Sequence, residues 1–269
     1  MHSFADQLGR TIELRGTPKR IISLVPSQTE LLSDLGLEDE VIGITKFCVH
    51  PAEWFRSKTK IGGTKQIHIE KIRELKPDLV IANKEENVQE QIELIAREFP
   101  VWVSDVNTVD DAFRLIDSIG MMTGRKTESD KIIASIRNNF HNLHNNHPGI
   151  KTCYLIWKDP YMTVGGDTFI NHMLIHAGFE NIFADKKRYP EISLDQLLQS
   201  HCRLLLLSTE PYPFKEKHIE ELRRFLPGIK ILLADGEMFS WYGSRLIKAP
   251  AYFEQLQNQI LSLTDAGDR

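Results

Sequence analysis

The sequence predicts an α/β protein: two α/β lobes with parallel sheets, joined by one long backbone helix. Three observations predict it. Strand-like and helix-like stretches alternate in both halves of the chain, as βαβ units do. Apolar runs such as Leu79-Val80-Ile81-Ala82 are unbroken, as expected of parallel strands covered on both faces. Thr108–His147 carries a helical pattern with no strand in it, which separates the halves. The expected division is an N-terminal lobe over 1–107, a connecting helical segment over 108–149 and a C-terminal lobe over 150–269.

The elements follow in order. Phe4–Leu14 reads as a short hairpin turning at Gly9, and Arg20–Val25 as the first buried strand. Ser27-Gln28-Thr29-Glu30 has capping-box spacing ahead of Leu31, Leu32 and Leu35, and Gly36 suits a helix stop. Val41–Ile44 is a strand, and Pro51 can open a short helix. Gly62-Gly63 permits a sharp turn. Ile69, Ile72 and Leu75 then recur at helical spacing, and Pro77 ends that helix. Strand 79–82, helix Val88–Phe99 and strand 101–103 complete the first half.

Thr108 and Asp111 can cap the long helical stretch, Gly124 breaks it, and Thr127 and Asp130 can cap a restart running to His147. In the second half Thr152–Trp157 is a strand. Asp167 or Thr168 caps a helix that Gly178 ends, and Ser193-Leu194-Asp195-Gln196 is a capping box. Strands at Arg203–Leu207 and Ile229–Ala234 flank a helix at His218–Phe225. The last helix runs to about Leu263.

The chain has 269 residues, 41% hydrophobic and 26% charged, within the ordinary globular range. Its net charge of −4 and lack of a basic run exclude the usual nucleic-acid footprint. Three cysteines, Cys48, Cys153 and Cys202, show no paired spacing, so no disulfide framework is expected. Residues 1–20 carry six charges and no apolar core, unlike a secretory signal, and no stretch reaches the length of a membrane span. As written the chain is expected in the cytoplasm, or in the cell envelope if a leader precedes it.

No Gly-x-x-x-x-Gly-Lys loop, Gly-x-Gly-x-x-Gly, Gly-x-Ser-x-Gly or His-Glu-x-x-His occurs, so neither an enzyme nor a catalytic cofactor is expected. Cys48 and His50 flank Val49 and can face the same way; a thiolate and an imidazole suit a soft or borderline metal, but two ligands do not close a zinc site. His172 and His176 share a helix face, and histidines also punctuate Asn138–His147. A helix face packed on the sheet accounts better for the first pair, and a frayed, solvated helix end for the others.

The aromatics concentrate at or just after strand ends: Phe47, Trp157 with Tyr161, Tyr212 with Phe214, and Trp241 with Tyr242. Ligands of open α/β sheets bind beyond the carboxyl ends of strands, and loop aromatics there suit a flat, partly apolar ligand. Lys46, His50, Lys65, Glu85, Glu86, Asp159, Glu210 and Arg245 would supply polar contacts.

Arg20-Ile21-Ile22-Ser23-Leu24-Val25-Pro26-Ser27-Gln28-Thr29-Glu30 resembles the opening of the substrate-binding proteins of ABC importers for cobalamin and ferric siderophores. Gly62-Gly63 followed by Glu70-Lys71-Ile72 and Lys76-Pro77-Asp78-Leu79-Val80 resembles them too. The likeness runs in order over nearly the whole chain. It implies a class III periplasmic-binding-protein-like fold and ligand held between the lobes. It implies no catalysis, and cargo that is a metal chelate: a corrinoid such as cobalamin, a ferric siderophore or haem. It also implies docking on a membrane permease through one acid per lobe. Glu70 matches the first by position, and Asp195 stands where a glutamate is usual. A second possibility is a cytoplasmic metal or tetrapyrrole carrier or chelatase-like protein, since tetrapyrrole chelatases share the fold outline.

Overall fold

Near the start of the chain, β1 (His2–Ala5) and β2 (Thr11–Leu14) pair antiparallel, and Gly9 turns the hairpin at a φ of 79°. The protein is described here from a computed structural model covering residues 2–144 and 149–265, with side chains to 261; His147 lies outside the described residues. Two compact units emerge. One comprises the chain up to 106 with 110–136 and 242–245; the other comprises 107–109, 137–241 and the chain from 246.

In the first unit the elements run β3 (Ile21–Ser23), α1 (Pro26–Asp34), β4 (Val41–Ile44), α2 (Ala52–Ser57), β5 (Thr59–Lys60), α3 (Ile69–Leu75), β6 (Leu79–Asn83), α4 (Gln89–Ala96), β7 (Val101–Ser104), α5 (Val109–Thr123) and α6 (Lys126–His141). The strands form one parallel sheet in the order β5-β4-β3-β6-β7. β3, β6 and β7 are buried along their whole length, as unbroken apolar runs require. Pro77 forces Lys76 out of the right-handed helical region, and Lys76 closes α3 at a φ of 45°. Arg20 completes that end: its guanidinium donates to the Leu75 and Lys76 carbonyls. α6 carries the chain from the first unit into the second.

In the second unit follow β8 (Ile150–Leu155), α7 (Phe169–His176), β9 (Phe179–Asn181), α8 (Leu194–Gln199), β10 (Leu204–Ser208), α9 (Glu216–Arg223), β11 (Lys230–Ala234), α10 (Gly236–Ser240), a 3-10 turn at Ser244–Ile247 that begins in the first unit, and α11 (Ala249–Asp265). The sheet order is β11-β10-β8-β9, again all parallel. The Thr168 side chain caps α7. Ser193 and Gln196 form the expected reciprocal box at α8.

The structure departs from the sequence reading at several places. Val25, not Ser27, is the N-cap of α1, and its side chain makes no cap. Pro26 takes the first helical turn, where its missing N–H costs nothing, so Ser27 and Glu30 lie inside the helix. Likewise Thr127 and Asp130 fall within α6, which starts at Lys126. β5, β9 and α10 were not expected; they are two, three and five residues long, too short to show a period.

α5 and α6 pack closely where Gly120 meets Ser129. A Cβ added at Gly120 would lie 2.1 Å from Ser129 Oγ and 2.5 Å from its Cβ. Gly120→Ala should therefore lower stability by about 1–3 kcal/mol through overpacking. Gly16→Ala, with no atom near its added Cβ, should leave the urea midpoint within error of the parent.

Candidate functional site

Because the strands of each large sheet are parallel, the loops leaving them gather at one edge of that sheet. The predicted residues fall on those loops. In the first unit Phe47 and His50 follow β4, Lys65 follows β5, and Glu85 and Glu86 follow β6. In the second, Trp157, Asp159 and Tyr161 follow β8, and Glu210, Tyr212 and Phe214 follow β10. Trp241 comes after α10 in the second unit, whereas Tyr242 and Arg245 belong to the first.

In the first unit these loops rest on a buried polar scaffold. Asn83 Oδ1 accepts the Glu85 and Glu86 N–H groups at 2.8 and 3.0 Å, while its Nδ2 donates to Ser104. Asn87 Oδ1 accepts the Asn83 N–H, and its Nδ2 donates to the Thr64 carbonyl at 3.1 Å. Gln28 Nε2 donates to Ser104 Oγ at 2.5 Å, tying α1 to β7. Glu85 and Glu86 are thus presented by a fixed backbone. Burial raises the Glu86 carboxyl above the usual range, with Lys65 opposing and Glu85 adding to the shift. Phe47 is 51% exposed, with the Lys46 ammonium 5.1 Å from its ring centre.

Cys48 is fully buried; its sulfur lies 3.1 Å from both the Thr29 and Thr45 hydroxyls, and burial pushes the thiol pKa up. His50 is half-buried. Among the described residues no group of three or more His, Cys, Asp or Glu could hold a metal ion. His172 Nδ1 accepts the Val109 N–H at 3.4 Å.

Arg245, 8% exposed, donates from Nε to Glu30 Oε2 of α1 at 2.8 Å. Gly243, at a φ of 153°, lies against the Ser27 carbonyl, which an added Cβ would approach to 3.1 Å. Residues 242–245 therefore seal the first unit although they come from the far end of the chain.

In the second unit Trp157 is 40% exposed, and its ring meets Tyr212 edge-on at 5.6 Å. Tyr161 and Tyr212 are half-buried against a core that includes Phe214. Asp159 is exposed. Trp241 is 6% exposed and donates Nε1–H to Glu210 Oε1 at 2.9 Å; Ser240 Oγ donates to the same oxygen at 2.7 Å. So Trp157 is the outward aromatic, while Phe214 is core and Trp241 is held by Glu210.

Lys158, His218 and Glu221 are not among the expected site residues, and Glu30 is expected only as part of a helix-capping box. Lys158 Nζ donates to both carboxylate oxygens of Glu221 at 2.7 and 2.6 Å. His218 meets the Tyr212 and Phe214 rings edge-on, and its Nδ1 accepts the Lys215 N–H at 2.8 Å. The only local signal was the His218/Glu221 spacing of three, which puts both on one helix face.

Glu70 and Asp195 both occupy first turns, of α3 and α8, where an acid also complements the helix dipole. Both are exposed, and Glu70 pairs with Arg73.

Two parallel-sheet units, each presenting polar and aromatic loops at the carboxyl edge of its strands, have the build of a class III ligand-binding protein. No helix among the described residues is long and apolar enough to cross a membrane. The periplasmic binding protein family model matches residues 21–225, and the chain belongs to that family, whose members are non-enzymatic components of transport. An uncharacterised ABC transporter substrate-binding lipoprotein of Bacillus subtilis is 28% identical over 208 residues, 72% of this chain and 65% of that relative's own length. A vitamin B12-binding protein of Pectobacterium carotovorum is 23% identical over 254 residues, 92% of this chain and 90% of its own. The periplasmic haem-binding protein RhuT of Roseiflexus sp. RS-1 shares the fold: TM-score 0.73, 20% identity, covering 90% of this chain and 100% of that one.

Two outcomes follow. Arg245→Met removes the guanidinium that pairs with the buried Glu30 carboxylate and should lower the thermal midpoint. Burial, with Lys217 and Lys158, holds the His218 imidazole below its ordinary 6.5. The unfolded chain then takes up that proton first. The stability His218 contributes is whole above pH 6.5 and is lost as pH falls from there through the lower folded value. His218→Gln should remove that segment of the pH–stability curve.

Proposed function

We propose that the protein is the substrate-binding component of an ABC importer and that its cargo is a metal chelate, either a corrinoid or an iron complex such as haem or a ferric siderophore. The observation that carries the reading is the exposed Trp157 ring braced edge-on by Tyr212 at a strand-carboxyl edge. A flat macrocycle or an aromatic-ringed chelate buries a large apolar face on such a surface, and the surrounding charges fix its orientation. Names of relatives that bind vitamin B12 and haem support the same ligand class.

On this reading Phe47, His50, Lys65, Glu85 and Glu86 are the candidate ligand contacts carried by the loops of the first unit, and Trp157, Asp159, Tyr161 and Tyr212 are those carried by the loops of the second. Glu210, Phe214, Trp241, Tyr242 and Arg245 shape the loops from behind. Glu70 and Asp195 dock on the permease, their carboxylates meeting basic side chains. The protein works at the outer face of the cytoplasmic membrane, as the lipoprotein relative's name supports.

Titration with cyanocobalamin, haemin and ferrichrome, followed by tryptophan quenching, tests this. One chelate should quench saturably, and Trp157→Ala should weaken it by about tenfold, the worth of one stacked aromatic contact. Unchanged affinity in Trp157→Ala would remove Trp157 from the site. Failure of all three chelates to quench would overturn the ligand class.

A further inference from the structure

Trp157 and Tyr212 stand on two different loops, one after β8 and one after β10. Their edge-on geometry needs something that holds both loops, and α9 does. Lys158, next to Trp157, is clamped by both oxygens of Glu221. Tyr212 lies 5.6 Å from the His218 ring and 4.7 Å from Phe214, and Phe214 crosses His218 at 88° and 5.5 Å. His218 is itself fixed, because its Nδ1 accepts the Lys215 N–H at the first turn of α9. His218 and Glu221 are three residues apart and so share one face of the helix. One helix face thus grips the β8 loop through an ion pair and the β10 loop through ring packing.

We propose that His218 and Glu221 are positioning residues: they set the Trp157–Tyr212 platform without touching ligand, and protonation of His218 loosens it, so that the protein releases its cargo in acid. The inference rests on the reading that this platform contacts the ligand. The chemistry follows from the neighbours of His218. Its buried ring faces Tyr212 and Phe214, with Lys158 and Lys217 as nearby cations and Glu221 as the opposing acid. Glu221 is already bonded to Lys158. An imidazolium there meets two like charges, and its Nδ1 can no longer accept from Lys215. Relief requires the ring to move, and Tyr212 rests on that ring.

Three variants separate the roles. His218→Gln keeps an acceptor at the third helical position and removes the titrating ring. His218→Phe keeps an aromatic ring for the edge contacts and removes the acceptor. Glu221→Gln keeps the shape and removes the charge that clamps Lys158. The probes are cyanocobalamin, haemin and ferrichrome, with Trp157 emission assigned by subtracting the Trp157→Phe spectrum.

For the chelate that binds, wild-type affinity should fall by about tenfold between roughly pH 7.5 and pH 5, the equivalent of one charge-assisted hydrogen bond. The midpoint should lie below 6.5. His218→Gln should flatten that profile. Glu221→Gln should weaken binding at every pH and shift Trp157 emission, and Lys158→Met should do the same without adding to it. A His218→Gln profile that still falls like wild type, or a Glu221→Gln protein with unchanged affinity and emission, overturns the proposal. If none of the chelates binds, the functional reading falls and the emission arm decides alone. An acid-dependent change in Trp157 emission that His218→Gln abolishes upholds the positioning, and its absence overturns it.

Discussion

Parallel pairing is the constraint on which the rest of the structure depends. A parallel strand cannot return by a tight turn, so a helix or long crossover must follow it. All loops leaving the strands then collect at one sheet edge, while the helices bury both faces. The central strands are largely apolar: β10 is Leu204-Leu205-Leu206-Leu207-Ser208, buried throughout. A loop surface at the strand-carboxyl edge of each unit is therefore a consequence of topology, and its chemistry is a matter of which side chains the loops carry.

Those loops do not rely on exposed contacts for their shape. In the first unit Asn83, Asn87, Gln28 and Ser104 satisfy one another and the loop backbone inside the protein, where an unpaired polar group would cost about 1–3 kcal/mol. In the second unit carboxylates do the same work: Glu210 holds Ser240 and Trp241, and Glu221 holds Lys158. Such preorganisation lowers the entropy that ligand binding must overcome.

The sequence made the long regular parts of this plan legible. The helix ending at Pro77 and the strand that follows it, the turn at Gly9 and the box at Ser193 are all written in local chemistry: proline geometry, glycine φ and hydroxyl capping. The Ser27–Glu30 box misled because Pro26 competes for the same turn and wins. The aromatic loops after β4, β8 and β10 were also legible from periodicity, whereas Trp241 and Tyr242 follow the short helix α10 and not a strand. Their division of labour was not. Trp157 and Trp241 look alike in sequence, yet one is outward and the other is bonded to Glu210, a contact across 31 residues of chain. The Glu30–Arg245 pair spans 215 residues and has no local signature at all.

The account comes down to one property: selective, stoichiometric binding of a metal chelate by a protein that performs no chemistry on it. Native mass spectrometry of the protein in an equimolar mixture of cyanocobalamin, haemin and ferrichrome measures that directly. The account predicts a single adduct with the intact mass of one of the three, at one per chain. Unmodified protein only, or indiscriminate multiple adducts of all three, would contradict it.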